Sequence, residues 1–349
     1  MHNGCHFFLG NLLNQHRVKA GRRLNRALLA IFTASMNPCL NEKNKRRAFV
    51  YLQFPVSGLL FIFLFLISTL SHGAGLPVTS SREEAIRYID EIKNLERSNH
   101  WPNIKPSLFL QNLKLNVTDP LSIYPGNSTN FCGYGALSYL FLQDDPLGYA
   151  KLLVELYQDG KAVFHQVKLE PSEAVKRAAG QLRFKGTLDI RPAEQMLFMT
   201  LAGHYKGYLN FFNRRYNPGD ENTFWASCNL AKFNRMVRQL LLYNVKSRGA
   251  DMARPQIEDL PGYIRKRLET GIVVLYINNR IVHRKNHVTI KLSVPTHFVI
   301  AEKIEIEDDK ITLVYWDYGR KTLLQMSPAF FKRIVFGVTH CTKKENNAD

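Results

Sequence analysis

Acidic residues are scarce in this sequence: 29 Asp and Glu stand against 47 Lys and Arg in 349 residues, a formal charge of +18. Cysteine is scarce too, and Cys5, Cys39, Cys132, Cys228 and Cys341 include no CxxC pair. That spacing excludes a zinc ribbon and a disulfide framework. At most it allows a Cys228–Cys341 bridge in an oxidising compartment, which leaves Cys132 over. The sequence has no internal repeat and no low-complexity tract, and its 45% hydrophobic content excludes a disordered or collagen-like chain. No residue cluster suggests a metal, nucleotide or haem site, so no cofactor is expected.

The most telling absence is local. From residue 48 to residue 81 there is no Lys, Arg, Asp or Glu. The densest part, residues 49–70 (FVYLQFPVSGLLFIFLFLISTL), is long enough to cross a bilayer as a helix. Lys43, Lys45, Arg46 and Arg47 precede it, and the small residues Ser71, Gly73, Ala74 and Gly75 follow. A basic flank, an apolar core and a small-residue stretch make residues 48–75 a secretory signal peptide or a signal anchor. Residues 1–47, with nine Lys/Arg and one acid, form a basic arm, and Met36 offers a second start for the reading frame. The portion beyond is expected to be exported across, or anchored in, the cytoplasmic membrane. The charge excess then reads as an address, and no nucleic-acid partner is expected. The membrane is a partner through residues 49–70 if that run is retained.

Beyond the apolar run the pattern is helical first and β later. Ser81 with Glu84 has the form of a capping box opening a helix through residue 95. Residues 97–131, with four prolines and many Asn, Ser and Thr, read as extended segments and loops, so 76–124 is taken as a helix and linker. Helices are predicted at 132–142, 145–157, 172–179, 192–203, 226–243 and 258–269. The basic aromatic stretch 205–216 (YKGYLNFFNRRY) reads as a partly buried helix with solvated ends; stacking on nucleic acid or lying on an anionic surface is the alternative. After Gly271 the period changes to strands at 272–277, 297–306, 311–317, 321–326 and 334–339, with a short helix opened by Ser327-Pro328. The fold class is α+β, with a mostly antiparallel sheet following the helices over 125–341 and a polar tail at 342–349.

Cys132 stands where the loop YPGNSTNF meets a helical run, which places its sulfur at a helix N-terminus where unpaired N–H groups and the macrodipole favour an anion. Gly133 and Gly135 would let a substrate backbone approach. A nucleophilic cysteine needs a base, and the base needs an orienting group. His297 opens one strand and Asp317 ends the next, and a hairpin turning at Asp308-Asp309 brings both to one edge of the sheet.

This order resembles the papain-like cysteine peptidases, most nearly the bacterial group related to the C39 (bacteriocin-processing) peptidases. The similarity lies in FCGYGAL and in HFVIAEKIEIEDDKITLVYWDYGRKTLLQMSPAFFKRIVFGV. It implies a papain-like fold with Cys132 as nucleophile, His297 as base and then acid, and Asp317 as the residue that orients the imidazole. The family's oxyanion-hole Gln, six residues before the cysteine, is Gly126 here, so Asn127 or Asn130 is expected to supply an amide beside the Cys132 N–H. The implied reaction is hydrolysis of peptide or isopeptide amides, with a peptide or protein as partner. Two other readings stay open: a non-catalytic peptide- or envelope-binding protein on the same fold, and a secreted effector whose cysteine deamidates or transfers. Oligomeric state is not legible.

Overall fold

A computed structural model describes residues 78–92, 94–182, 190–279 and 294–343. The basic arm, the apolar run 49–70 and most of the tail lie outside the described residues. No described helix is long and apolar enough to cross a membrane.

Helices come first in the chain, as expected: α1 Arg82–Glu91, α2 Pro106–Thr118, α3 Cys132–Asp144, α4 Pro146–Asp159, α5 Glu173–Ala178, α6 Pro192–His204 and α7 Leu230–Leu240. A two-stranded hairpin, β1 Ala162–Phe164 and β2 Val167–Leu169, sits between α4 and α5. Ser81 caps α1 through the predicted capping box with Glu84. The helix α2 corrects the loop reading of 97–131. Its proline, Pro106, stands in the first turn, where the missing N–H costs nothing. Phe109, Leu113 and Val117 then recur at four-residue intervals and are fully buried, with Phe109 stacked on Tyr157 at 4.4 Å. Both α1 and α2 therefore join the main core.

The second half builds one six-stranded sheet in the order β3-β8-β4-β5-β6-β7, every neighbouring pair antiparallel. Its strands are β3 Asn244–Gly249, β4 Ile272–Ile277, β5 His297–Glu307, β6 Lys310–Asp317, β7 Arg320–Met326 and β8 Val335–Thr342. Helix α8 Leu260–Leu268 precedes β4, and α9 Pro328–Ile334 precedes β8. The α+β class is thus met.

Both faces of the sheet are covered, which is why β4 reads as one continuous apolar run. Val274, Tyr276, Phe298, Ile300 and Trp316 pack with the helices α1–α7 in the larger core. Their neighbours Val273, Leu275, Val299, Leu313 and Tyr315 face the smaller one, under α8 and α9. β3 escaped sequence reading because NVKSRG is an exposed edge strand with no apolar alternation.

The segment 205–216 is not a helix. Only the 3₁₀ turn Tyr208–Asn210 is regular, and Phe211, Phe212, Arg214 and Arg215 stand exposed on loops. The Cys228–Cys341 bridge is absent as well: Cys132, Cys228 and Cys341 are all free and buried.

Candidate active site

The strand pairing brings two of the expected residues together directly. The β5–β6 hairpin turns at Asp308-Asp309, with Glu307 paired to Lys310 and Ile300 to Trp316. Its open end carries His297 and Asp317. His297 Nε2 and Asp317 Oδ1 are 2.6 Å apart, and both residues are almost wholly excluded from solvent. A pair this short and this dry fixes the ring by a charge-assisted hydrogen bond.

Cys132 reaches the same place from the helical side. It is the first residue of α3, and Phe131 before it supplies no capping side chain. Among the described residues nothing accepts from the Cys132 backbone N–H, as expected for the first donor of an uncapped helix. The thiol lies 3.7 Å from the carbonyl oxygen of Thr296, the residue before His297. Nδ1 of His297 makes no well-formed hydrogen bond, so the ring nitrogen not held by Asp317 is left for the thiol.

The imidazole's titration reflects this company. Burial alone would push its pKa down; the hydrogen bond the ring donates to Asp317, then the influence of the Cys132 thiol and the charges of both, outweigh burial and lift it to about 9. Burial raises Cys228 and Cys341 each to about 12, so neither forms a thiolate at neutral pH.

The loop delivering Cys132 is held by named groups. Thr129 Oγ1 donates to the carbonyl of Pro125 at 2.5 Å and accepts from the Phe131 N–H at 3.2 Å. Asn130 does not present a free amide: its Nδ2 donates to the Thr223 carbonyl at 2.8 Å and to Ser227 Oγ at 3.3 Å. Asn127 is exposed in the turn. Gly126, at φ +84°, occupies the left-handed region, and a Cβ there would stand 3.0 Å from Ile190 Cδ1. No long amide side chain fits at that position without rebuilding the turn.

The glycines after Cys132 face inward rather than toward a substrate. A Cβ at Gly133 would meet Cys228 Sγ at 2.9 Å, and one at Gly135 would meet Pro125 Cβ at 3.0 Å. They let α3 pack closely on its neighbours.

Sequence reasoning passed over Tyr318. Residues 318 and 319 form the β6–β7 turn with φ of 43° and 79°, the double positive-φ geometry of a tight hairpin. A tyrosine rarely adopts this conformation. Here the turn carries its ring back over the imidazole, stacked at 4.3 Å and 17° from parallel, with its hydroxyl bonded to the Asn279 side chain. The signal available was adjacency: Tyr318 follows Asp317 and precedes a glycine. Tyr318→Phe should keep the stack and leave turnover within about twofold, whereas Tyr318→Ala should lower it ~3–10-fold, the worth of an aromatic pair. Steady-state kinetics of both variants checks this.

Among the described residues no cluster of His, Cys, Asp and Glu is arranged to hold a metal ion. No known protein family matches the chain, and no curated protein matches it.

Proposed function

We propose that this protein is a papain-like cysteine hydrolase, exported or membrane-anchored through residues 49–70, that cleaves peptide or isopeptide amides. The single observation carrying the proposal is the buried His297–Asp317 pair at 2.6 Å, with the ring's other nitrogen left to a thiol at a helix N-terminus.

Chemically, His297 takes the Cys132 proton and the thiolate attacks the amide carbonyl carbon, forming an S–C bond. The oxyanion that develops finds the Cys132 backbone N–H, which has no acceptor among the described residues. The imidazolium then protonates the leaving nitrogen as the C–N bond breaks. Water, deprotonated by the same ring, hydrolyses the thioester and returns the thiol. Asp317 holds the tautomer and the positive charge throughout.

The commitment of both Asn130 amide protons favours a second reading, a peptide- or envelope-binding protein that keeps the pocket without turnover. An E-64-type epoxide separates the two. On the hydrolase reading it modifies one site in the wild type and in Cys228→Ala, and none in Cys132→Ala. Binding without catalysis predicts no preference for Cys132.

A further inference from the structure

We propose that the aromatic and basic loop face formed around residues 208–215, Phe224 and Met252 docks on an anionic lipid surface. It is separate from the triad and independent of the hydrolase reading. Tyr208, Phe211, Phe212, Phe224 and Met252 are five of the eleven exposed large hydrophobic residues of the described chain, with Phe212 at 94% and Met252 at 85% exposure.

Hydrogen bonds tie together the three segments that carry these residues. Asn210 Nδ2 donates to the carbonyls of Phe224, Trp225 and Ser227. Asn213 Nδ2 donates to Asp220 Oδ1 at 3.0 Å and to Thr223 Oγ1 at 3.1 Å. Tyr208 donates to Asp251 Oδ2 at 2.7 Å, and Met252 is the next residue along the chain. Loops held this firmly display their phenylalanines as part of the fold.

Charge selects the partner. Residues 205–216 contain no acid; burial pushes the Lys206 ammonium down to about 7, so Arg214 and Arg215 carry the charge of this stretch. Arg214 and Arg215 are exposed, and the Arg214 guanidinium lies 5.6 Å from the Phe211 ring centre. The acids of the neighbouring loops keep their charge but point into local hydrogen bonds, Asp220 with Asn213, Asn217 and Thr223, Glu221 with Tyr216, and Asp251 with Tyr208, Asn229 and the Leu230 N–H, and none is exposed as Arg214 and Arg215 are. What the loop exposes is apolar side chains beside Arg214 and Arg215, the composition that anchors at a headgroup boundary. Single-stranded nucleic acid is less well matched. Phe211 and Phe212 stand at 90° to each other rather than offering parallel platforms for successive bases.

The loop is also joined to the active-site region. Asn130 bonds to Thr223 and Ser227, and Cys228 packs against Gly133 beside Cys132.

The full chain, which contains residues 49–70, associates with vesicles by that run alone if it inserts, so the test reads the loop and not the chain. Phe212→Trp places a reporter there, because Trp101, Trp225 and Trp316 are buried. The emission change is compared between phosphatidylcholine vesicles and vesicles containing phosphatidylglycerol, with lipids brominated near the headgroup. The expected result is at least ~twofold stronger quenching of the added tryptophan in the anionic vesicles, with shielding from iodide, both lost in the Arg214→Glu/Arg215→Glu background. Iodide access unchanged by anionic vesicles overturns the proposal. Shielding by a single-stranded oligonucleotide but not by vesicles overturns it in favour of nucleic acid.

Discussion

Asp317→Asn is expected to lower kcat/KM for an amide substrate by ~10³–10⁴-fold without unfolding the protein, the scale on which triads lose activity when the orienting carboxylate becomes an amide. The replacement is nearly isosteric, so packing around a fully buried side chain is kept. What changes is charge. The carboxylate is the largest of the influences that raise the His297 pKa, and the burial that opposes it remains. His297 should therefore titrate well below its wild-type value of about 9 in the variant.

The sign for stability follows. A group whose pKa rises on folding, here from the ordinary 6.5 to about 9, stabilises fully below pH 6.5, and that contribution is lost as pH climbs through about 9. In Asp317→Asn the loss moves to lower pH. The alkaline limb of the rate profile, set by the imidazolium that protonates the leaving nitrogen, moves the same way. A histidine NMR titration and a pH–rate profile check the two halves independently; an unchanged imidazole pKa in the variant contradicts the role given to Asp317.

His297→Ala carries the largest expected loss of turnover, ~10⁵-fold or more, because a triad without its base keeps only binding and oxyanion stabilisation. This variant also takes the imidazole at 2.6 Å away from the fully buried Asp317. Removing one partner of a buried pair costs ~3–5 kcal/mol. A fall in thermal midpoint should accompany the lost activity. His297→Gln, which still donates a hydrogen bond to the carboxylate, should recover much of the midpoint and none of the turnover. Recovery of both would mean that the ring is structural.

Five of the sheet's six strands and the β5–β6 and β6–β7 hairpins were legible because those strands are largely apolar and β-branched and the hairpins turn at Asp-Asp and Tyr-Gly. The same alternation placed His297 and Asp317 at one open end, since a hairpin's register follows from its turn. The cysteine was legible from the loop-to-helix change at Phe131. Helix α2 was hidden by Pro106, which reads as a breaker unless it happens to be a first-turn residue. The loops at 205–216 were misread because aromatic residues at helical spacing normally signal burial, and here several face solvent. The surroundings of the cysteine were illegible for another reason. Whether Asn130 offers its amide to a substrate or to Thr223 depends on a partner 93 residues away in sequence. Tyr318 over the imidazole likewise depends on backbone angles that a tyrosine seldom adopts.

The most direct measurement needs no substrate. Cys132 alkylation by iodoacetamide is followed by mass spectrometry at pH 6 to 7 in the full chain, in the wild type and in His297→Gln. If the thiol works with the imidazole, Cys132 reacts at least ~tenfold faster in the wild type than in the variant, while Cys228 and Cys341, with pKa values of about 12, stay unmodified in both. Equal rates at Cys132 in the two proteins would contradict a catalytic Cys132–His297–Asp317 unit.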